Sequence, residues 1–198
     1  LLRGLALGFS IAAPVGPIGV LCIQRTLNAG RLVGFVTGLG AATADLIYAS
    51  LGVLGLTLVA QAVIAGRLWL HVVGGLFLVY LGARTFFGSP AKRAAATTGG
   101  RGIAAAYAST VGLTLTNPAT IFSFAAIFAG LGVGAGSAAS AVTLVGGVFL
   151  GSALWWLLLS NGVALFRSAL GPLPALWINR LSGAIILAFG VIALATLL

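Results

Sequence analysis

The sequence predicts an all-α membrane protein with six transmembrane helices, arranged as two inverted three-helix repeats with broken helices in spans one and four. Three observations lead there. The 198 residues are 61% hydrophobic and only 6% charged, against roughly 25% charged in soluble domains. The apolar residues come in long runs rather than one-sided stripes, and a run of about 20 is what crosses a bilayer core. The second half of the chain also repeats features of the first.

Reading between the charges, the first span runs from about Gly4 to Gln24. The second occupies much of Leu32 to Gly66, and the third runs from about Leu68 to Phe87. The polar segment Gly88 to Arg101 (GSPAKRAAATTGGR) reads as a flexible loop. Gly102 to Phe166 holds no formal charge, is too long for one span and divides at Gly130–Ser137 into spans four and five. The sixth begins near Trp177. The chain is one transmembrane domain over 1–198: repeat one about 1–87, loop about 88–101, repeat two about 102–198. It enters a helix directly and contains no Met, so residues ahead of Leu1 are expected. The first run is too long, and lacks the A-x-A site, to be a cleaved signal peptide.

The net charge is +9, but the basic residues stand in ones and twos between apolar runs, so no nucleic-acid partner is expected. Arg25, Arg31, Arg84, Lys92, Arg93, Arg101, Arg167 and Arg180 fall on connections one–two, three–four and five–six, with only Arg3 and Arg67 on the other side. Eight against two reads as loop charges that set topology, placing the odd-numbered connections in the cytoplasm and both termini outside. Cys22 is the only cysteine, so no intramolecular disulfide forms.

The repeat is carried by Leu68-Trp69-Leu70 with Gly75 and Gly82, matched by Leu176-Trp177-Ile178 with Gly183 and Gly190 at an offset of 108. Three spans per half means that the second copy enters the membrane inverted. That is an architecture of secondary transporters, with the substrate at the repeat interface.

Proline inside a span is tolerated only where the freed carbonyl finds another partner. Span one holds Ala13-Pro14-Val15-Gly16-Pro17-Ile18-Gly19, and span four holds Thr114-Leu115-Thr116-Asn117-Pro118, with Ser123 further on. A helix restarting at Pro17 or Pro118 presents free N–H groups and a positive dipole end at membrane depth. That suits a carboxylate; a simple proline kink is the alternative.

Asp45, the only acidic residue, lies in span two. A charge there costs about 2.5–3.5 kcal/mol and marks a functional candidate. Gly38, Ala41, Ala42, Ala49 and Gly52 put it on a small-residue face that packs against helices rather than lipid. It fits a proton carrier, a counter-charge for an ammonium, or a buried Asp bonded to the helix-break amides. Gly4, Gly8, Ala12 and Gly16 form a row for close helix contact. Trp155 and Trp156 read as packing or lipid contact, with an aromatic wall near a cationic group as the alternative. Trp69, Trp177 and His71 read as interfacial.

These residues resemble the LysE/RhtB family of amino-acid exporters. The resemblance rests on Pro14-Val15-Gly16-Pro17, Asp45 among small residues, Asn117-Pro118 and the loop Asn28-Ala29-Gly30-Arg31, and covers nearly the whole chain. It implies a secondary transporter that exports amino acids or related small metabolites across the bacterial cytoplasmic membrane by proton antiport. The implied partners are substrate, proton and lipid, with homodimerisation through small-residue faces open. Carried over by position, Pro17 and Pro118 would mark the two helix breaks, Asn117 would contribute polar ligands, and Asp45 would be the coupling or ammonium-binding carboxylate. The broken segments themselves add Pro14, Gly16, Thr114, Thr116 and Ser123 to the expected site. Family members often carry Lys after Asn-Pro; here Ala119 stands there, so arginine or lysine export is not implied.

A cation or metal exporter is the nearest rival, yet one Asp, one His, one Cys and no Met make a poor ligand set. No nucleophile–base pairing points to an intramembrane enzyme, and no cofactor is expected. An uncoupled channel of similar fold remains an alternative; a structural subunit would leave the paired helix breaks unexplained.

Overall fold

The computed structural model describes residues 1–14, 16–53, 67–87, 100–117, 120–121, 123–124, 138–167 and 172–195. Every element among them is an α-helix. The chain forms α1 (Leu2–Ala12) and α2 (Pro17–Ala29), whose axes differ by 81°. Pro17 cannot donate to a preceding turn, so α1 cannot continue through it. Instead Pro17 takes the first position of a new helix, where a missing N–H costs nothing. Gly16 before it is extended, and its carbonyl accepts the Val20 amide at 3.0 Å. Helix α2 closes on Gly30 at φ 100°, a left-handed conformation that favours glycine.

Helix α3 (Arg31–Val53) follows at once, then α4 (Arg67–Phe87) and α5 (Gly100–Leu115). Thr116 makes a turn, and the Asn117 carbonyl accepts the Ile121 amide at 3.1 Å, so helical bonding resumes beyond Asn117. Pro118 itself lies outside the described residues, as do the interior of the predicted loop and the predicted Gly130–Ser137 division. Helices α6 (Ala138–Arg167) and α7 (Pro172–Ala195) complete the described chain.

Helices α3, α6 and α7 are long and apolar enough to cross a membrane, and α1 with α2 makes a fourth if the bent pair is one span. Val72–Phe87 and Gly102–Leu115 are shorter apolar helices. The exterior carries Leu150, Leu154, Leu158 and Val191, while Gln24, Thr37, Asp45, Ser152 and Asn179 are buried. That distribution suits hydrocarbon outside and polar contacts inside.

Glycine decides the closest helix approaches. The Leu1 and Leu5 carbonyls lie against Gly147 and Gly151, and Phe9 meets Trp155 edge-on at 5.3 Å, so α1 and α6 run parallel. Gly75 faces Gly190, and Gly82 faces Gly183, making α4 and α7 antiparallel. Helix α3 lies between α5 and α6. It runs parallel to α5, where Gly40 meets Thr110 and the Tyr48 hydroxyl donates to the Leu115 carbonyl. It runs antiparallel to α6, where Gly38 meets Trp156 and Asp45 meets Ser152.

Arg25 departs from its reading as a loop charge. Helix α2 restarts after the break and continues past it, so its guanidinium is part-buried between α3 and α5. It donates to the Thr37, Thr110 and Ser109 hydroxyls at 3.2, 3.0 and 3.0 Å and to the Ala106 carbonyl at 2.9 Å. Beside it, Gln24 and Asn28 both donate to Asn179 Oδ1 on α7, at 2.9 and 2.7 Å. One face of α2 thus fastens to α3 and α5, and the other to α7.

Candidate functional site

A cavity of about 480 Å³ lies where the helix breaks meet α3, within the roughly 300–1,000 Å³ common for small-ligand sites. The α1–α2 break supplies Pro14, Gly16, Pro17, Ile18 and Gly19. The end of α5 and the residues beyond it supply Thr114, Asn117, Thr120 and Ser123. Ala41 and Asp45 come from α3, Leu78 from α4, Trp156 from α6, and Phe189, Ile192 and Ala193 from α7.

Of the predicted site residues, Pro14, Gly16, Pro17, Asp45, Thr114, Asn117 and Ser123 line this cavity together. Thr116 does not; its hydroxyl donates to the Gly112 carbonyl at 2.9 Å, and its carbonyl lies against Gly74. Pro118 lies outside the described residues. The small-residue face around Asp45 is a packed one: Gly38, Ala41, Ala42 and Ala49 are all buried.

Asp45 is 3% exposed and accepts a hydrogen bond from the Ser152 hydroxyl at 2.7 Å through Oδ2. Trp156 Nε1 donates to that same hydroxyl at 3.2 Å. The Thr114 hydroxyl is buried and has no hydrogen-bond partner among the described residues, although an unpaired buried polar group costs about 1–3 kcal/mol. None of the lining residues among those described is Lys, Arg or His. The wall therefore combines one carboxylate, a few hydroxyl and amide groups, a helix start and broad apolar surface. The first amides of a helix lack intrahelical acceptors, and here that turn, Pro17 to Gly19, is part of the wall. These groups offer acceptors at Asp45 and donors at the Pro17 turn on one cavity.

Residues 9–196 match the family model described as LysE type translocator. The chain belongs to this family. A relative from Bacillus subtilis (strain 168), named "Putative amino acid efflux protein YcgF", is 25% identical over 190 residues, covering 94% of this chain and 90% of that protein. No solved structure matches the chain. LysE type translocators are transporters rather than enzymes.

Sequence reasoning left Ser152 and the apolar wall from α7 unassigned, placed Arg25 on the connection after span one, and read Trp156 first as packing. Serine, phenylalanine and isoleucine in apolar helices carry no one-dimensional signal of which helix they face. For Arg25 a signal was present: it stands only eight residues beyond Pro17, too near the break to lie outside a restarted helix.

Proposed function

We propose that this translocator exports amino acids or related small metabolites across the bacterial cytoplasmic membrane by proton antiport. The observation that carries the reading is the meeting of Asp45 with the Pro17 helix start and Asn117 on one cavity. A zwitterion satisfies both ends of such a site. Its carboxylate sits at the helix starts, where free amides and the dipole favour negative charge. Its ammonium sits at Asp45, and protonation of Asp45 resets the empty carrier. At 100 mV one inward proton supplies about 2.3 kcal/mol, enough for roughly a fortyfold gradient of a neutral solute. The name of the Bacillus subtilis relative supports the substrate class.

The six-span inverted repeat is part of the same proposal, with repeats at about 1–87 and 102–198. The helix senses support it: α1 with α6 and α3 with α5 are parallel, while α3 with α6 and α4 with α7 are antiparallel. A chain crossing back and forth gives this pattern. The offset of 108 carries Gly75 to Gly183 and Gly82 to Gly190. It therefore turns the Gly75–Gly190 contact into the Gly82–Gly183 contact, as a two-fold axis between α4 and α7 requires. Loop charges favour both termini outside.

The test is efflux from reconstituted vesicles with a panel of labelled amino acids, comparing wild type with Asp45→Asn. Gradient-driven movement of a substrate that collapses in the variant supports the reading. Transport indifferent to Asp45 or to the proton gradient sinks the antiport mechanism, and no movement of any amino acid sinks the substrate class.

A further inference from the structure

Buried hydroxyls on helices have a default partner, the carbonyl one turn back. Thr26, Thr37, Thr85, Thr110 and Ser160 all take it, donating to the i−4 carbonyl at 2.7–2.8 Å. Ser152 is fully buried on α6 and does not; its proton goes across to Asp45 Oδ2 on α3. A serine oxygen has two lone pairs and one proton. Trp156, one turn further along α6, fills one lone pair with its indole N–H, which fixes where the serine proton can point.

The indole is itself held. Trp156 is 4% exposed, and its Cβ, Cγ and Cδ2 occupy the space where a side chain at Gly38 would begin. Helix α3 thus supplies both the acid and, two turns earlier, the bare backbone that admits the ring. Among the described residues the Ser152 bond is the hydrogen bond made by the Asp45 carboxylate, and it engages Oδ2. Oδ1 makes no hydrogen bond among the described residues, and Asp45 lines the cavity.

We propose that Ser152 and Trp156 are positioning residues for the substrate's ammonium. Trp156 orients the Ser152 hydroxyl, Ser152 pins Asp45 Oδ2, and the carboxylate thereby presents Oδ1 to a cationic nitrogen in the cavity. The inference rests on the reading of Asp45 as the ammonium site. It adds that affinity is set by two residues on α6, one of which reaches the acid only through the other. A carboxylate without this pin rotates freely and loses directional bonding to the nitrogen.

The experiment measures efflux from proteoliposomes loaded with radiolabelled leucine, threonine, glutamate or lysine, for wild type, Asp45→Asn, Ser152→Ala, Trp156→Phe and the Ser152→Ala/Trp156→Phe double variant. For whichever substrate wild type moves, Ser152→Ala raises KM about tenfold with the maximal rate changed less than about twofold, the signature of lost binding. Trp156→Phe keeps an aromatic ring, smaller than the indole, loses the N–H, and raises KM about threefold. The double variant matches Ser152→Ala alone, because the tryptophan acts through the serine. Losses that multiply, or that fall on the maximal rate with unchanged KM, overturn the proposal, as does wild-type KM in Ser152→Ala. Should Asp45→Asn transport normally, the ammonium reading itself fails, and the positioning role falls with it. Thermal midpoints in detergent within about 3 °C of wild type confirm that the comparison reads binding and not unfolding.

Discussion

The indole of Trp156 lies directly on the backbone of Gly38, so that the two helices carrying Asp45 and Ser152 meet where one residue has no side chain and its neighbour has the largest. Gly38→Ala puts a methyl group into the ring. Overpacking of a buried contact costs about 1–3 kcal/mol, and the ring cannot retreat without releasing Ser152. The expected outcome is a lowered thermal midpoint in detergent together with a KM raised by about tenfold. A Gly38→Ala protein with wild-type stability and KM would show that the contact is slack.

Thr114 separates binding from folding. Its buried hydroxyl has no partner among the described residues, so Thr114→Val, which keeps the shape and removes the polar atom, should leave stability unchanged or raise it by about 1 kcal/mol. If the hydroxyl meets the substrate, the same variant loses affinity about tenfold. Melting curves and transport KM on one preparation read both effects. Destabilisation by the valine would point to a structural role for the hydroxyl.

Arg25 is expected to matter for helix assembly. Its guanidinium reaches three hydroxyls and a carbonyl on two helices, a fork that an ammonium cannot reproduce. Arg25→Ala should destabilise by about 2–4 kcal/mol, and Arg25→Lys should recover less than half of that. Denaturation in mild detergent checks both, and full rescue by lysine would mean that charge alone is needed.

The α4–α7 contact can be tested by cross-linking in a Cys22→Ser background. Gly75→Cys with Gly190→Cys should form a disulfide under mild oxidant once the helices shift enough to admit the two Cβ atoms, because these backbones touch and disulfides need Cα atoms within about 7 Å. Gly75→Cys with Gly183→Cys, at opposite ends of the contact, should not. The reverse pattern would require α4 and α7 to run parallel.

Much of the site was legible in one dimension because it is made of residues that apolar helices ordinarily exclude. Asp45, the Pro14–Pro17 segment and Asn117 each break the pattern of their run, and the breaks recur in both halves. Each therefore carries an energetic cost in lipid that points to a use. Gly4 and Gly8 were legible for a related reason, since regular small residues predict close helix contact, and both lie against the α6 backbone near Leu144 and Val148, whereas Gly16 at the end of the expected row meets no neighbour.

By itself, then, the sequence determined the membrane class, the helix break at Pro17, the single acid and the family, because those follow from local chemistry against a uniform apolar background. Only the tertiary structure decided which residues face one another. Ser152 stands 107 residues from the carboxylate that it bonds. Arg25 became an interior clamp because α2 swings through 81° after the break, and Phe189 and Ile192 became cavity wall by the rotation of α7. Helix rotation and neighbour identity are set by the sum of many small packing contacts across the whole bundle. No short stretch of chain contains that sum.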